Sequence, residues 1–220
     1  MPTIDLAFVL RGSTIPLDYG YALFGALCRV VPELHGNRRI GVHPIRGIRL
    51  QPRRLTLVPQ SRLRIRLPIE QVGSYLALVG TRLDLEGSLL EIGLFQAEPL
   101  RPATNLISRL VTIGHHIEPE SVLASLMTQM AELGVVGNLA LVPSPDPARV
   151  GEQSRRVLRI KDRRIVGYAV TVGGLTAEGS LTLQEQGLGS RRRMGCGVLV
   201  PLNSSSWQPG REETLKGTSE

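Results

Sequence analysis

Two histidines and several clusters of arginine are the side chains here best suited to chemistry near neutral pH. His35 stands in Pro32-Glu33-Leu34-His35 and His43 in Gly41-Val42-His43-Pro44. A neutral imidazole is a natural general base for taking the proton from a ribose 2′-hydroxyl, whose oxygen then attacks the neighbouring phosphate. The nucleic acid supplies its own nucleophile in such a reaction. What the protein must add is in-line geometry, a cation for the developing charge and a proton for the departing 5′-oxygen. No metal or cofactor is needed. Arg38 and Arg39 lie close enough to His35 along the chain to serve the charge. His35 could equally be a solvated histidine at a helix C-terminus, and His43, in an apolar run before Pro44, a packed core residue.

A second constellation is the stretch 187–197, Gly-Leu-Gly-Ser-Arg-Arg-Arg-Met-Gly-Cys-Gly, which leads into Val198, Leu199, Val200 and Pro201. Glycine admits positive φ and close approach to the main chain. Successive exposed N–H groups in such a loop suit anions, and arginine forks match phosphate oxygens. No lysine follows any of these glycines, which excludes a P-loop, and Arg192 occupies the third glycine position of a dinucleotide fingerprint. The loop enters a β-branched run and therefore a strand. Gly187, Gly189, Ser190, Arg191, Arg192, Arg193, Gly195 and Gly197 are thus candidates for holding a phosphodiester backbone. A glycine-rich turn with solvated arginines is the plain alternative.

The elements that must position these residues can be read in order. Residues 3–11 read as a strand broken at Arg11, Gly12 and Ser13. Asp18 is placed as an N-cap for a helix whose Tyr19, Ala22, Leu23, Ala26, Leu27 and Val30 recur at helical spacing up to Pro32. Residues 40–50 and 53–67 read as two extended runs, the second alternating Leu63, Ile65 and Leu67 against Arg62, Arg64 and Arg66, so that three arginines share one face. A helix over 69–79 and a strand over 89–97 complete the order βαββαβ, one ferredoxin-like unit.

The order repeats from residue 104. A strand over 105–113 precedes a helix over 119–133 with proline near its start, and 155–160 with 165–172 form a hairpin around 161–164. A helix over 176–186 and a strand over 196–200 close the unit. The expected architecture is α+β, with tandem ferredoxin-like domains at 1–101 and 102–202, antiparallel sheets with helices on one face, and the glycine-rich loop before the last strand. Residues 143–154 read as a loop, and 203–220, with Trp207, as a flexible tail.

The pattern Gly-hydrophobic-Gly, five residues, Gly-x-Gly before a last strand resembles the signature of the CRISPR repeat-associated RNA-binding superfamily. With its context from Leu183 through Gly197, the chain resembles the CRISPR repeat endoribonucleases, especially the Myxan-type branch, over roughly residues 3 to 201. That resemblance implies paired ferredoxin-like domains, an RNA-binding loop, and an early histidine that drives metal-independent cleavage of precursor CRISPR RNA. It favours His35, at the end of the first helix, over His43, and likens Tyr19 and Tyr21 to the tyrosine some members add. No lysine follows His35, so charge stabilisation falls to arginine and the general acid stays open.

Composition agrees with a polyanion partner: the net charge is +7, and 24 of the 26 basic residues are arginine. GC-rich coding would also favour arginine. The arginines cluster at 38–39, 53–66, 155–164 and 191–193, which adds Arg155, Arg156, Arg163 and Arg164 to the candidate RNA contacts. No apolar run approaches the roughly 20 residues a membrane span needs, and Asp5 interrupts what a signal peptide would keep apolar, so a cytoplasmic protein is expected. Cys28 and Cys196 form no zinc pattern, and adjacent His115 and His116 would face opposite ways in an extended segment, sharing no metal. With aromatics at 4%, shape and backbone contact to an RNA hairpin fit better than base stacking along a single strand. Two functions remain: an endoribonuclease that cuts on the 3′ side of the repeat hairpin, leaves a 2′,3′-cyclic phosphate and keeps the mature guide RNA within a multi-subunit interference complex, or a non-catalytic subunit that only grips guide RNA.

Overall fold

In the computed structural model, residues 2–114 and 117–202 are described; the pair His115 and His116 and the tail with Trp207 fall outside them. The first half runs β1 (Thr3–Arg11), β2 (Thr14–Pro16), α1 (Gly20–Val30), a 3₁₀ turn Pro32–His35, β3 (Gly41–Val42), β4 (Ile48–Gln51), β5 (Arg54–Thr56), β6 (Arg62–Pro68), α2 (Val72–Tyr75), β7 (Arg82–Leu85) and β8 (Ser88–Pro99). The second half runs β9 (Leu106–Val111), α3 (Pro119–Glu132), β10 (Asn138–Leu141), β11 (Arg155–Ile160), β12 (Arg163–Gly173), α4 (Ala177–Gln186) and β13 (Val200–Pro201).

Each half forms an antiparallel sheet with the same strand arrangement, β3-β6-β1-β8 with β7 added outside β8, and β10-β12-β9-β13. In both, the first and third strands of the βαββαβ order lie in the middle, as a ferredoxin-like unit requires, and the expected α+β architecture is observed. Alternation decides which face of each sheet meets its helices. Leu6, Phe8, Leu63 and Ile65 pack with Leu23 and Leu27 of α1 in one core. Leu106, Val170 and Val172 pack with Val122, Leu126 and Met130 of α3 and Leu183 of α4 in the other.

Several local expectations are corrected. The run 53–67 is two strands in different sheets, because Pro59 lacks a ladder donor and Ser61 folds a turn back on Val58, accepting from its N–H at 3.0 Å. β5 instead joins β2 and β4 in a separate three-stranded sheet. The helix over 69–79 is only one α turn between two 3₁₀ turns. β7 and β10 were not anticipated. β10 and β11 pair with successive halves of the same edge of β12, so 142–154 is an excursion within one edge strand. Asp18 does not cap α1: Tyr19 takes that place without a side-chain cap, while Asp18 accepts from the Arg159 N–H at 3.2 Å. The closing strand shrinks to Val200–Pro201 because Gly195 and Gly197, at φ +87° and +64°, bend the chain before it.

The three arginines of β6 do share a face, but that face is largely occupied by the protein itself. Arg62 donates to Pro59 O and Ser61 O, and Arg64 pairs with Glu98. Arg66 is 1% exposed. Directly opposite it in register stands Asp5 of β1, and the guanidinium grips both carboxylate oxygens, Nε to Oδ1 at 2.7 Å and Nη2 to Oδ2 at 2.9 Å. Its Nη1 donates across to the second half, to Gln184 O at 2.9 Å and Leu199 O at 2.7 Å. These carbonyls lie just before and just after the glycine-rich loop. Gln184 extends the tie by donating through Nε2 to Arg101 O at 2.8 Å, in the connection between the halves.

Removing one partner of a buried ion pair leaves the other uncompensated, at about 3–5 kcal/mol. Arg66→Ala and Asp5→Ala are each expected to lower the unfolding free energy in urea by about that amount, and the double variant by clearly less than the sum. Additive losses would show that the two residues do not act as one unit.

Candidate functional site

The glycine-rich loop is shaped mainly by contacts with its own protein. Gly187, Gly189, Gly195 and Gly197 all have positive φ, and so does Arg191. A Cβ on Gly197 would stand 2.0 Å from Leu188 O, one on Gly189 2.6 Å from Thr112 O, and one on Gly187 2.5 Å from Gly197 O. At Gly195 the nearest atoms would be 3.8 Å away or more. Three of the glycines therefore let the loop fold onto itself and β9, and only Gly195 leaves its main chain open to approach from outside.

The three arginines take three different directions. Arg191, half-buried, donates to Ser190 Oγ at 2.8 Å and Thr112 Oγ1 at 3.3 Å. Arg192 turns inward and is buried; it donates to Gln184 O at 3.4 Å while its Nε has no partner among the described residues. Burial, helped by neighbouring Arg66, lowers its guanidinium pKa to about 10. Arg193 donates to Leu34 O at 3.1 Å and lies over the Phe24 ring, 5.5 Å from its centroid. Phe24 in turn stacks on His35, with centroids 5.9 Å apart.

A cation from one half of the chain and an exposed histidine from the other thereby both contact Phe24. Tyr21, half-buried, stands three residues before Phe24 and so shares its side of α1. Arg38 and Arg39 are exposed just beyond His35. Asn37 Oδ1 accepts from the Arg39 N–H at 3.0 Å and turns that segment, and the Arg39 guanidinium reaches Glu70 at 3.3 Å. An imidazole can accept a proton from a hydroxyl, and guanidinium groups can stabilise charge on a phosphate.

Comparison with known proteins identifies the family. A family profile described as Cas6 Crispr matches residues 4–204. A CRISPR-associated endonuclease Cas6 of Myxococcus xanthus (strain DK1622) is 38% identical over 201 residues, covering 91% of this chain and 82% of the relative. The chain belongs to the Cas6 family. Among solved structures, a CRISPR associated protein Cas6 superposes with a TM-score of 0.64 at 12% identity, over 91% of this chain and all of the other. A RAMP protein described as binding different RNA substrates superposes at 0.66 and 11% identity, over 92% of this chain and all of the other. At such identities these two show a shared fold.

Other candidates lie elsewhere in this Cas6 chain. Tyr19 is two residues from Tyr21 and so faces another side of α1. Its hydroxyl accepts from the Ile45 N–H at 2.5 Å and donates to Ile45 O at 3.3 Å, which ties it to the backbone, away from Phe24. His43 is buried beneath the cleft between the halves. Its Nε2 is 3.2 Å from Asp5 Oδ1 yet not aligned as a hydrogen bond, so this nitrogen has no hydrogen-bond partner among the described residues. Arg155, Arg163 and Arg164 are exposed on the β11–β12 hairpin, and Arg156 is half-buried at the cleft. Among the described residues no cluster of three or more His, Cys, Asp or Glu could hold a metal ion, and no helix is long and apolar enough to cross a membrane. Phe24 and Asp5 were missed from sequence. A charge inside an otherwise apolar first strand was the available signal for Asp5; Phe24 looked like any core aromatic.

Two expectations follow. Gly197→Ala and Gly189→Ala should lower the melting temperature clearly, since each adds steric overlap to a positive φ worth about 1–3 kcal/mol of strain, whereas Gly195→Ala should show the strain alone; equal losses at all three would contradict the packing described. Burial holds the His43 imidazole below its ordinary pKa, against Asp5 and with Arg66 and Arg64 acting in the same direction as burial. The folded state thus prefers neutral His43, so its contribution is full above about pH 6.5 and is lost as pH falls toward the lowered value. Unfolding free energies between pH 7 and 5 should fall less steeply in His43→Gln than in the parent; identical slopes would remove His43 as the source.

Proposed function

We propose that this Cas6 chain is an endoribonuclease that processes CRISPR repeat RNA by metal-independent transesterification, with His35 as general base. The observation that carries the reading is the contact chain Arg193, Phe24, His35, which brings a cation of the family loop beside a solvent-facing imidazole. The relative that is 38% identical is described as an endonuclease. His35 removes the 2′-hydroxyl proton, the 2′-oxygen forms a bond to phosphorus, and the bond from phosphorus to the 5′-oxygen breaks. The products are a 2′,3′-cyclic phosphate and a 5′-hydroxyl, which takes up one proton. Arg193 and Arg38 are suited to the charge on the phosphoryl oxygens, and Tyr21 is the phenol best placed to orient the nucleotide.

RNA binding draws on the loop and on the exposed arginines of the β11–β12 hairpin. A repeat hairpin is the substrate, and the mature guide RNA stays bound within a larger interference complex. The two halves, 1–101 and 102–202, divide the work, the first carrying the base and the second the loop.

His35→Ala should abolish cleavage of the cognate repeat while leaving RNA affinity nearly unchanged, because a neutral base acts mainly in the transition state. Cleavage should persist in excess chelator and fail on RNA with a 2′-deoxy nucleotide at the cut. Full cleavage by His35→Ala, a metal requirement or cutting of the deoxy substrate would each refute the mechanism; tight binding with no cleavage would assign the chain to guide-RNA retention. Since Arg192 is buried, replacing Arg191 and Arg193 together should flatten the dependence of log affinity on log salt by up to about 1.4, at roughly 0.7 per phosphate. Adding Arg192→Ala should change stability rather than slope.

A further inference from the structure

The cleft between the two halves is lined by Met194 and Gly195 of the loop and by neither Arg193 nor His35. It measures about 280 Å³, near the lower end for small-ligand pockets. Its floor is apolar, built from Leu23, Leu158 and Met194, and its rim carries Arg49, Arg109 and Arg156. Asp18 is the acid of the lining, and its carboxylate is occupied by the Arg159 N–H at 3.2 Å and the Arg159 guanidinium at 3.8 Å. Gly195 lines the same space, and it is the one glycine of the loop whose positive φ no close protein contact explains. Tyr19 stands at the wall with its hydroxyl already tied to Ile45, so it presents a fixed ring rather than a free phenol. Gly20, also in the lining, must be glycine for the loop to sit there, since a Cβ would be 2.8 Å from Met194 O.

An apolar floor with a cationic rim matches a nucleotide, which has one flat, weakly polar end and one anionic end. We propose that this cleft receives a single unpaired nucleotide of the bound RNA, splayed out of its strand, with the base on Leu23, Leu158 and Met194 and the phosphate at the arginine rim. The inference rests on the RNA-processing reading above and adds a base-binding subsite to it. Scarcity of aromatics is compatible with one such base, because the contact is aliphatic and Tyr19 supplies a single ring, not a stacking platform for a run of bases. Gly195 allows the ribose-phosphate to pass close to the main chain.

The test is an abasic scan of the cognate repeat RNA, measuring affinity with each base removed in turn, for the wild-type protein and for Val157→Trp. Val157 is 39% exposed and lines the cleft, so an indole there fills the space without entering the core. One abasic position should weaken wild-type binding about tenfold. Val157→Trp should weaken binding of intact RNA to a similar degree and become indifferent to that same position, while penalties elsewhere persist. Arg109→Ala, at an exposed residue, should weaken intact and abasic RNA equally and flatten the salt slope by about 0.7, which tests the rim should the tryptophan variant fail to fold. If wild type binds RNA but no abasic penalty disappears in Val157→Trp and the Arg109→Ala slope is unchanged, the cleft is not a nucleotide site. If wild type binds no repeat RNA at all, the functional reading itself fails and this subsite with it.

Discussion

Arg66 ties the two larger sheets together through a buried ion pair and two backbone carbonyls. Its side chain starts on a central strand of the first sheet, is neutralised there by Asp5, and donates through Nη1 to the two carbonyls that bracket the glycine-rich loop. Donors left unmet on a charge so buried are costly, so the positions of Gln184 O and Leu199 O relative to β1 and β6 are constrained. Everything the loop does afterwards, including the placement of Arg193 over Phe24, is measured from that anchor.

The anchor also explains why a loop rich in glycine and arginine is not simply a flexible basic strap. Gly187, Gly189 and Gly197 serve close packing of the backbone against itself and β9. Arg192 is buried beside Arg66 and helps fill the space opposite Gly41. What remains for an external ligand is Arg191, Arg193 and the main chain at Gly195. Arg193 faces the His35 side of α1 and Met194 with Gly195 faces the cleft. The short 3₁₀ turn Arg192–Met194 thus sends Arg193 toward Phe24 and Met194 toward the cleft.

Much of the architecture was legible from periodicity. The alternation of Leu63, Ile65 and Leu67, the helical recurrence from Leu23 to Leu27 and the proline at the start of α3 each report which face is buried, and burial is what orders these elements. The family resemblance carried by the spacing of glycines also held. Errors clustered where local pattern was overruled from a distance. Asp18 has the chemistry of an N-cap but finds the Arg159 N–H on the other half of the chain. Residues 53–67 alternate well enough for one strand, yet Pro59 and the Ser61 turn divide them between sheets.

The sequence by itself determined the two βαββαβ units, their helix-facing sides and the basic character of the chain, because these follow from side-chain period and charge. Only the tertiary structure decided which charges are spent inside and which remain outside. Arg62, Arg64 and Arg66 are equivalent in pattern, as are Arg191, Arg192 and Arg193, and Tyr19 and Tyr21. Each set is divided by what the other half of the chain, or a distant strand, presents to it: a carboxylate and two carbonyls for Arg66, a buried gap for Arg192, the Ile45 backbone for Tyr19. The partners of Arg66 and Tyr19 are 26 to 133 residues away along the chain, and no local spacing encodes a contact of that range.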